Sequence, residues 1–289
     1  MRLAVWLEAT RPQTLPAAAA PVLVGAALAF GRGAFHGLAV LAALVGALLI
    51  QIGTNYANDY FDHLKGADTE HRLGPRRATQ AGLVTPSAMK RAFVVVFALA
   101  IVVGAYLVAR AGWPIALVGL SAVLAGVVYT GGPYPLGYNG LGDVFVWIFF
   151  GPVAVGGTVY VQALDLTALD LVVGGAFGLL STAILAVNNL RDADTDREVG
   201  KRTLAVRFGK GFARAEYAVC LALALALPLV LAGLVGRWAL FSVVVLVPWA
   251  ALLARRVRVR EGVELNPLLG ATGRFLVAYA VLFAIGWLA

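Results

Sequence analysis

The chain has 289 residues, of which 61% are hydrophobic and only 13% charged, with a mean hydropathy of +0.86. A soluble domain is about half apolar and a quarter charged, so the composition excludes a large soluble core and requires a polytopic membrane protein. The net charge of +8 is what basic cytoplasmic loops produce and is no argument for nucleic acid; a single cysteine, Cys220, excludes an internal disulfide framework; and the histidines at 36, 63 and 71 have no zinc-like pairing.

The opening MRLAVWLEATRP is too short in its apolar part, and too interrupted by Glu8 and Arg11, for a cleavable leader. A membrane-spanning helix needs roughly 20 apolar residues. Nine segments qualify, at about 13–31, 36–57, 90–109, 112–130, 141–161, 168–189, 212–235, 238–254 and 268–287. Several are rich in Ala and Gly, which suits close helix packing. The expected fold is all-α, a bundle of nine transmembrane helices. A weak internal repeat suggests two four-helix units plus one helix, all in a single domain over 1–289. If the loop after the second span is cytoplasmic, all but Arg32, Arg110 and Arg237 of the 23 Lys and Arg fall on that side. The positive-inside bias then puts the amino terminus inside and, after nine crossings, the carboxyl terminus outside.

Two polar stretches close apolar runs. After the second span comes NYANDYFDHLKGADTE (55–70); after the sixth comes NNLRDADTDREVGKRT (188–203). If helix continues through them, Asn58 and Asp62 share a face, with Asn55 nearby, and Asn188, Asp192 and Asp196 fall at i, i+4, i+8. Two acidic helix ends facing each other across a cavity offer oxygen ligands of the kind that hold Mg²⁺ with a substrate phosphate. Asp68 and Glu70 belong to the first cluster. Asp59, Asp194 and Glu198 point off the main face and could equally be solvated charges. Arg72, Arg76, Arg77, Lys201 and Arg202 follow the motifs; topology alone would place them there, yet they also suit phosphate oxygens. The run RRVRVR (255–260) reads as topological anchoring or contact with anionic lipid. Between spans four and five, YTGGPYPLGYNGLGD (129–143) is either a tight connection or a pocket wall offering Tyr129, Tyr134 and Tyr138 to an aromatic acceptor.

At these motifs the chain resembles the UbiA family of intramembrane prenyltransferases, over nearly its whole length. Asn58-xxx-Asp62 and Asp192-xxx-Asp196 match the two family motifs. One departure is Gly66, where many members carry a further Asp; Asp68 follows two positions later. The stretches 11–25, 58–69, 74–82, 129–143 and 188–209 are most similar to members that act on 1,4-dihydroxy-2-naphthoate in menaquinone synthesis. The resemblance implies a central cavity that opens sideways to lipid, in a cell-membrane enzyme whose active-site loops are cytoplasmic. It implies Mg²⁺ on Asn58, Asp62, Asp192 and Asp196, and an isoprenyl diphosphate held by Arg72, Arg76, Lys201 and Arg202. It implies an aromatic acid bound near Asn55, Tyr129, Tyr134, Tyr138 and Asn188, with Asp62, Asp68, Asp192 and Asp196 as the catalytic carboxylates. Other acceptors, such as 4-hydroxybenzoate, homogentisate or haem, remain the nearest rivals. A transporter would need charges inside its spans, and here the acids sit at span ends.

Overall fold

The computed structural model describes residues 3–67 and 73–289, and the described residues contain helices and turns but no strand. The helices in order are α1 (Leu3–Ala9), α2 (Leu15–Phe30), α3 (Gly37–Leu64), α4 (Pro86–Ala111), α5 (Trp113–Val128), α6 (Gly142–Ile148), α7 (Ala154–Ala163), α8 (Ala168–Glu198), α9 (Leu204–Phe208), α10 (Lys210–Val235), α11 (Val247–Val259) and α12 (Asn266–Leu288). Their ends follow local chemistry. The Thr85 hydroxyl accepts from Ala88 N ahead of Pro86, and Thr167 with Asp170 closes a capping box on α8. Gly112, at φ 81°, lets α4 turn directly into α5.

Among the described residues, eight helical segments are long and apolar enough to cross a membrane; the fourth expected crossing is α5, with only 16 residues. At 1.5 Å per residue α5 spans about 24 Å, short of a hydrocarbon core of roughly 30 Å. The nine expected segments are thus eight full spans and one short helix. The two motif helices run beyond their apolar parts: α3 continues to Leu64 and α8 to Glu198, so both polar stretches are largely helical.

The main core gathers α2, α7, α8, α10 and α12 around Leu28, Phe177, Leu180, Tyr279 and Phe283, all fully buried. Its tyrosine hydroxyls are satisfied inside the bundle: Tyr279 donates to the Ala224 carbonyl (2.6 Å), and Tyr217 meets Thr272 (2.9 Å). A smaller core packs α3 on α4 through Tyr60, Phe61, Phe93 and Phe97. Between α6 and α7 the helix breaks at Gly151–Pro152, where Gly151 leaves helical geometry (φ −118°, ψ −105°). The break lies flat on α8 only because α8 presents glycine. A Cβ on Gly151 would sit 2.7 Å from the Gly174 carbonyl oxygen, and one on Gly178 would overlap the Trp147 carbonyl.

At the end opposite the motifs, three arginines are tied down. Arg32 pairs with buried Asp170 and donates to Thr167 (3.1 Å). Arg110 donates to the carbonyls of Val161 (2.6 Å) and Gln162 (3.1 Å). Arg237 donates to the Trp287 carbonyl and lies over its ring.

Gly178→Val is expected to force α8 away from Trp147 and cost about 1–3 kcal/mol, read as a lower Tm in detergent. Gly233→Ala, at an exposed position of α10 with nothing near its Cβ, should be neutral or stabilise by up to about 1 kcal/mol. Equal melting of the two variants would refute the close-packing account.

Candidate active site

The carboxyl ends of α3 and α8 and the loop after α5 meet at one cavity of about 690 Å³. Its deeper walls are apolar and small: Ala43, Gly46 and Ala47 of α3, Ala100 and Gly104 of α4, Gly119 and Ala122 of α5, and Phe145, Phe149 and Phe150 at the break between α6 and α7. Its other end carries almost all the polar side chains, so the space is amphipathic, with a charged mouth and a greasy body.

Carboxylates and cations interleave at the mouth. Asp62, 2% exposed, accepts from Arg77 Nη2 (2.9 Å) and from the Tyr138 hydroxyl (2.7 Å). Lys201 Nζ lies 3.6 Å from Asp62 and 3.7 Å from Asp196, so a single ammonium group bridges the two motifs. The Tyr138 ring stacks beneath both Lys201 (4.8 Å) and Lys65 (4.9 Å). Asn58 accepts from the Thr130 hydroxyl (2.9 Å). Asp192 is gripped bidentately by Arg191 through Nε (2.7 Å) and Nη2 (2.6 Å). Burial lowers the pKa of Lys65, with Asp62 opposing and Lys201 reinforcing that shift. Burial, followed by the carboxylates of Asp143, Asp196 and Asp62, raises the pKa of Tyr129. Tyr129 is therefore a neutral phenol, able to donate a hydrogen bond but not to serve as a phenolate base at neutral pH.

Of the sequence-derived candidates, Asn55, Asn58, Asp59, Asp62, Arg76, Arg77, Tyr129, Tyr138, Asn188, Asp192, Asp196 and Lys201 line the cavity. Asn55 is also committed to structure: its amide donates to the Thr10 carbonyl (2.8 Å) and Thr14 hydroxyl (3.2 Å), fastening α3 to the segment before α2. Asp68, Glu70 and Arg72 lie outside the described residues. Tyr134 and Arg202 are exposed and do not line the cavity. The turn-rich loop aims Tyr134 outward, and Arg202 is placed by its backbone, which bonds the Tyr138 carbonyl (2.7 Å) and accepts from Arg207 (3.0 Å). Asp194 is a surface charge paired with Lys210 (2.7 Å). Asp59 faces inward, accepting from the backbone N–H groups of Ala78 and Thr79 at 3.0 Å each.

Three participants are not singled out by sequence: Arg191, Thr130 and Arg11, while Arg77, read with Arg76 as a cation suited to phosphate, pairs with Asp62. Arg191 stands inside the second motif, three residues after Asn188, and that i, i+3 spacing is a readable signal, whereas its grip on the adjacent Asp192 is not. Arg77 sits beside Arg76 with nothing local to separate their roles. Thr130 reaches Asn58 only through the fold. Arg11 lines the cavity from a left-handed backbone conformation (φ 51°) that non-glycine residues seldom adopt.

The donor chemistry of the two walls fits a hard divalent cation, because Asn58, Asp62, Asp192 and Asp196 supply oxygen alone. Among the described residues no three His, Cys, Asp or Glu side chains converge into a closed cage. Mg²⁺ is content with one or two carboxylates when a substrate phosphate and water complete its shell, and the split walls suit that habit.

Residues 18–269 match the UbiA prenyltransferase family. The chain is 40% identical over 300 residues to a 1,4-dihydroxy-2-naphthoate octaprenyltransferase of Escherichia coli, covering 99% of this chain and 95% of that one. It is 41% identical over 283 residues to the protein of the same name from Mycobacterium tuberculosis, covering 97% and 96%. The fold is similar to that of a UbiA homolog from Archaeoglobus fulgidus (TM-score 0.69, 15% identity, 98% and 99% covered) and to the same homolog bound to DMAPP and Mg²⁺ (TM-score 0.67, 15% identity, 97% and 99% covered).

Removing the Asp59 carboxylate orphans two buried N–H groups, each worth about 1–3 kcal/mol. Asp59→Ala should therefore lower Tm and speed proteolytic cutting in the loop before α4, with Asp59→Asn intermediate. Unchanged melting would show that Asp59 does not hold this loop.

Proposed function

Because the chain belongs to the UbiA prenyltransferase family, we propose that it transfers a polyprenyl group from an isoprenyl diphosphate to 1,4-dihydroxy-2-naphthoate with loss of CO₂, in menaquinone biosynthesis. The observation that carries this reading is the convergence of both acidic motifs on Lys201 at the mouth of an otherwise apolar cavity. The relatives named for this reaction, matched over nearly full length, supply the acceptor.

The residues divide the work. Asn58, Asp62, Asp192 and Asp196 would hold Mg²⁺, which neutralises diphosphate charge and stabilises it as a leaving group. Arg76, Arg77 and Lys201 offer cations to the phosphate oxygens, Arg77 and Lys201 from buried or nearly buried positions. The prenyl chain lies against the Ala and Gly walls. Phe145, Phe149 and Phe150 help keep water from C1 once its C–O bond breaks and the electron pair leaves with diphosphate. The electron-rich ring then attacks C1. When attack falls on the carboxyl-bearing carbon, CO₂ leaves its bonding pair to the ring and the product is the quinol of demethylmenaquinone, with no ring proton to remove. Tyr129 and Tyr138 border the space beside the carboxylates where the ring must approach. The motif face is cytoplasmic and the membrane is the cell membrane, as the basic bias toward that face supports.

The test is prenyl transfer followed by mass spectrometry, with Mg²⁺, geranylgeranyl or farnesyl diphosphate, and either dihydroxynaphthoate or 4-hydroxybenzoate. A prenylated, decarboxylated naphthoquinone is expected from the first acceptor alone; product only from hydroxybenzoate would overturn the acceptor assignment. Asp62→Ala and Asp192→Ala should each lower kcat/KM by about 10²–10³-fold or more in folded protein. EDTA should stop turnover and added Mg²⁺ restore it; full activity in chelator would remove the ion from the reaction.

A further inference from the structure

Asn266, the first residue of α12, lies far in sequence from both motifs yet touches the second motif and the loop that follows the first. Its side-chain oxygen accepts from Arg191 Nη1 (2.9 Å), and its amide nitrogen donates to the Leu73 carbonyl (2.9 Å). Arg191 is a hub. Its side chain is fully buried, and besides Asn266 it holds Asp192 bidentately and Asn188 through Nη2 (2.8 Å). Leu73 opens the described part of the loop that carries Arg76 and Arg77 to the cavity, and Arg77 holds Asp62. The chain of contacts is therefore Asp192–Arg191–Asn266–Leu73, leading into the segment that ends on Asp62. It joins the two walls behind the cavity, as Lys201 joins them in front.

Chemistry narrows what can stand at this position. The bridge needs an acceptor for a guanidinium and a donor for a carbonyl on one short side chain. Asparagine supplies both; aspartate supplies only the acceptor and would set a negative oxygen against the Leu73 carbonyl. Alanine supplies neither.

We propose that Asn266 is a positioning residue for the diphosphate site: it fixes the loop bearing Arg76 and Arg77 in register with Asp192 on the opposite wall. This rests on the prenyltransferase reading. Asn266 touches neither substrate nor ion. Its effect passes through Leu73 on one side and Arg191 on the other.

The experiment compares wild type, Asn266→Ala and Asn266→Asp. Binding of farnesyl thiodiphosphate, a slowly reacting analogue, is titrated with Mn²⁺ as the probe ion and followed by loss of the free Mn²⁺ resonance. Steady-state kinetics and Tm are measured on the same preparations. Both variants lose the Leu73 bond, so both should bind the analogue about tenfold more weakly. Their KM for the diphosphate should rise while KM for the naphthoate stays at the wild-type value. Asn266→Asp keeps the Arg191 contact and should melt nearer to wild type than Asn266→Ala; if the alanine variant does not fold, the aspartate variant alone decides. A lower Tm with unchanged analogue affinity and unchanged diphosphate KM would make Asn266 a helix-start residue only and overturn the proposal. Wild type binding the analogue but producing no prenylated product would instead put the function at fault and leave the positioning role to the binding data.

Discussion

A carboxylate drawn into a membrane bundle is tolerable only where donors surround it, and this constraint organises the motif end of the molecule. Asp62 has a guanidinium, a phenol and an ammonium group around it; Asp192 has both arms of Arg191; Asp59 has two backbone N–H groups. Apart from Arg191, which shares α8 with Asp192, these donors come from three segments outside the motif helices: Arg77, Ala78 and Thr79 before α4, Tyr138 after α5 and Lys201 after α8. Satisfying the carboxylates therefore pulls the loop before α4, the loop after α5 and the turn after α8 onto the ends of α3 and α8. The charged mouth of the cavity is a consequence of the same interactions that hold its loops.

The opposite end follows the same rule with the signs exchanged. Arg32, Arg110 and Arg237 are met by one carboxylate and several carbonyls, close to the ends of α2, α4 and α10. Between the two ends there is little polar chemistry, and packing depends on glycine and aromatic rings. The contact of α8 with the break between α6 and α7 shows why. The π-turn at Gly151–Pro152 widens the helix there, and only glycine on α8 leaves room for it. That same break turns Phe145, Phe149 and Phe150 onto the cavity wall.

Most of this arrangement was legible in sequence because it is periodic. Apolar runs of span length mark the crossings, and i, i+4 spacing puts Asn58 with Asp62 and Asp192 with Asp196 whether or not the helix ends are known. What periodicity cannot carry is partner choice across the fold. Arg76 and Arg77 are adjacent and chemically identical, yet Arg77 is buried on Asp62 and Arg76 stands exposed at the cavity rim. Tyr134 and Tyr138 share one loop, and only Tyr138 turns inward to Asp62. Arg202 follows Lys201 directly, and the bond from its backbone N–H to the Tyr138 carbonyl leaves its side chain outside. In each pair the decision belongs to a loop whose path is set by glycine turns and distant carbonyls, so neighbouring residues of one type receive opposite fates.

The interleaving of charges also bears on how a diphosphate could enter. A site made of carboxylates alone would repel it, and a site made of arginine and lysine alone would hold diphosphate product as firmly as substrate. Here the cations are already committed to carboxylates at 2.9–3.7 Å. On the proposed reading, an arriving metal–diphosphate would bring both charges at once, the cation for Asp62 and Asp196 and the phosphates for Arg77 and Lys201. It can therefore exchange protein–protein ion pairs for protein–ligand ones with little change in the charge buried. On that reading the same exchange would run backwards when diphosphate departs, with the protein pairs closing again behind it. An ion-paired mouth over an apolar cavity thus suits repeated turnover better than a strongly one-signed pocket would.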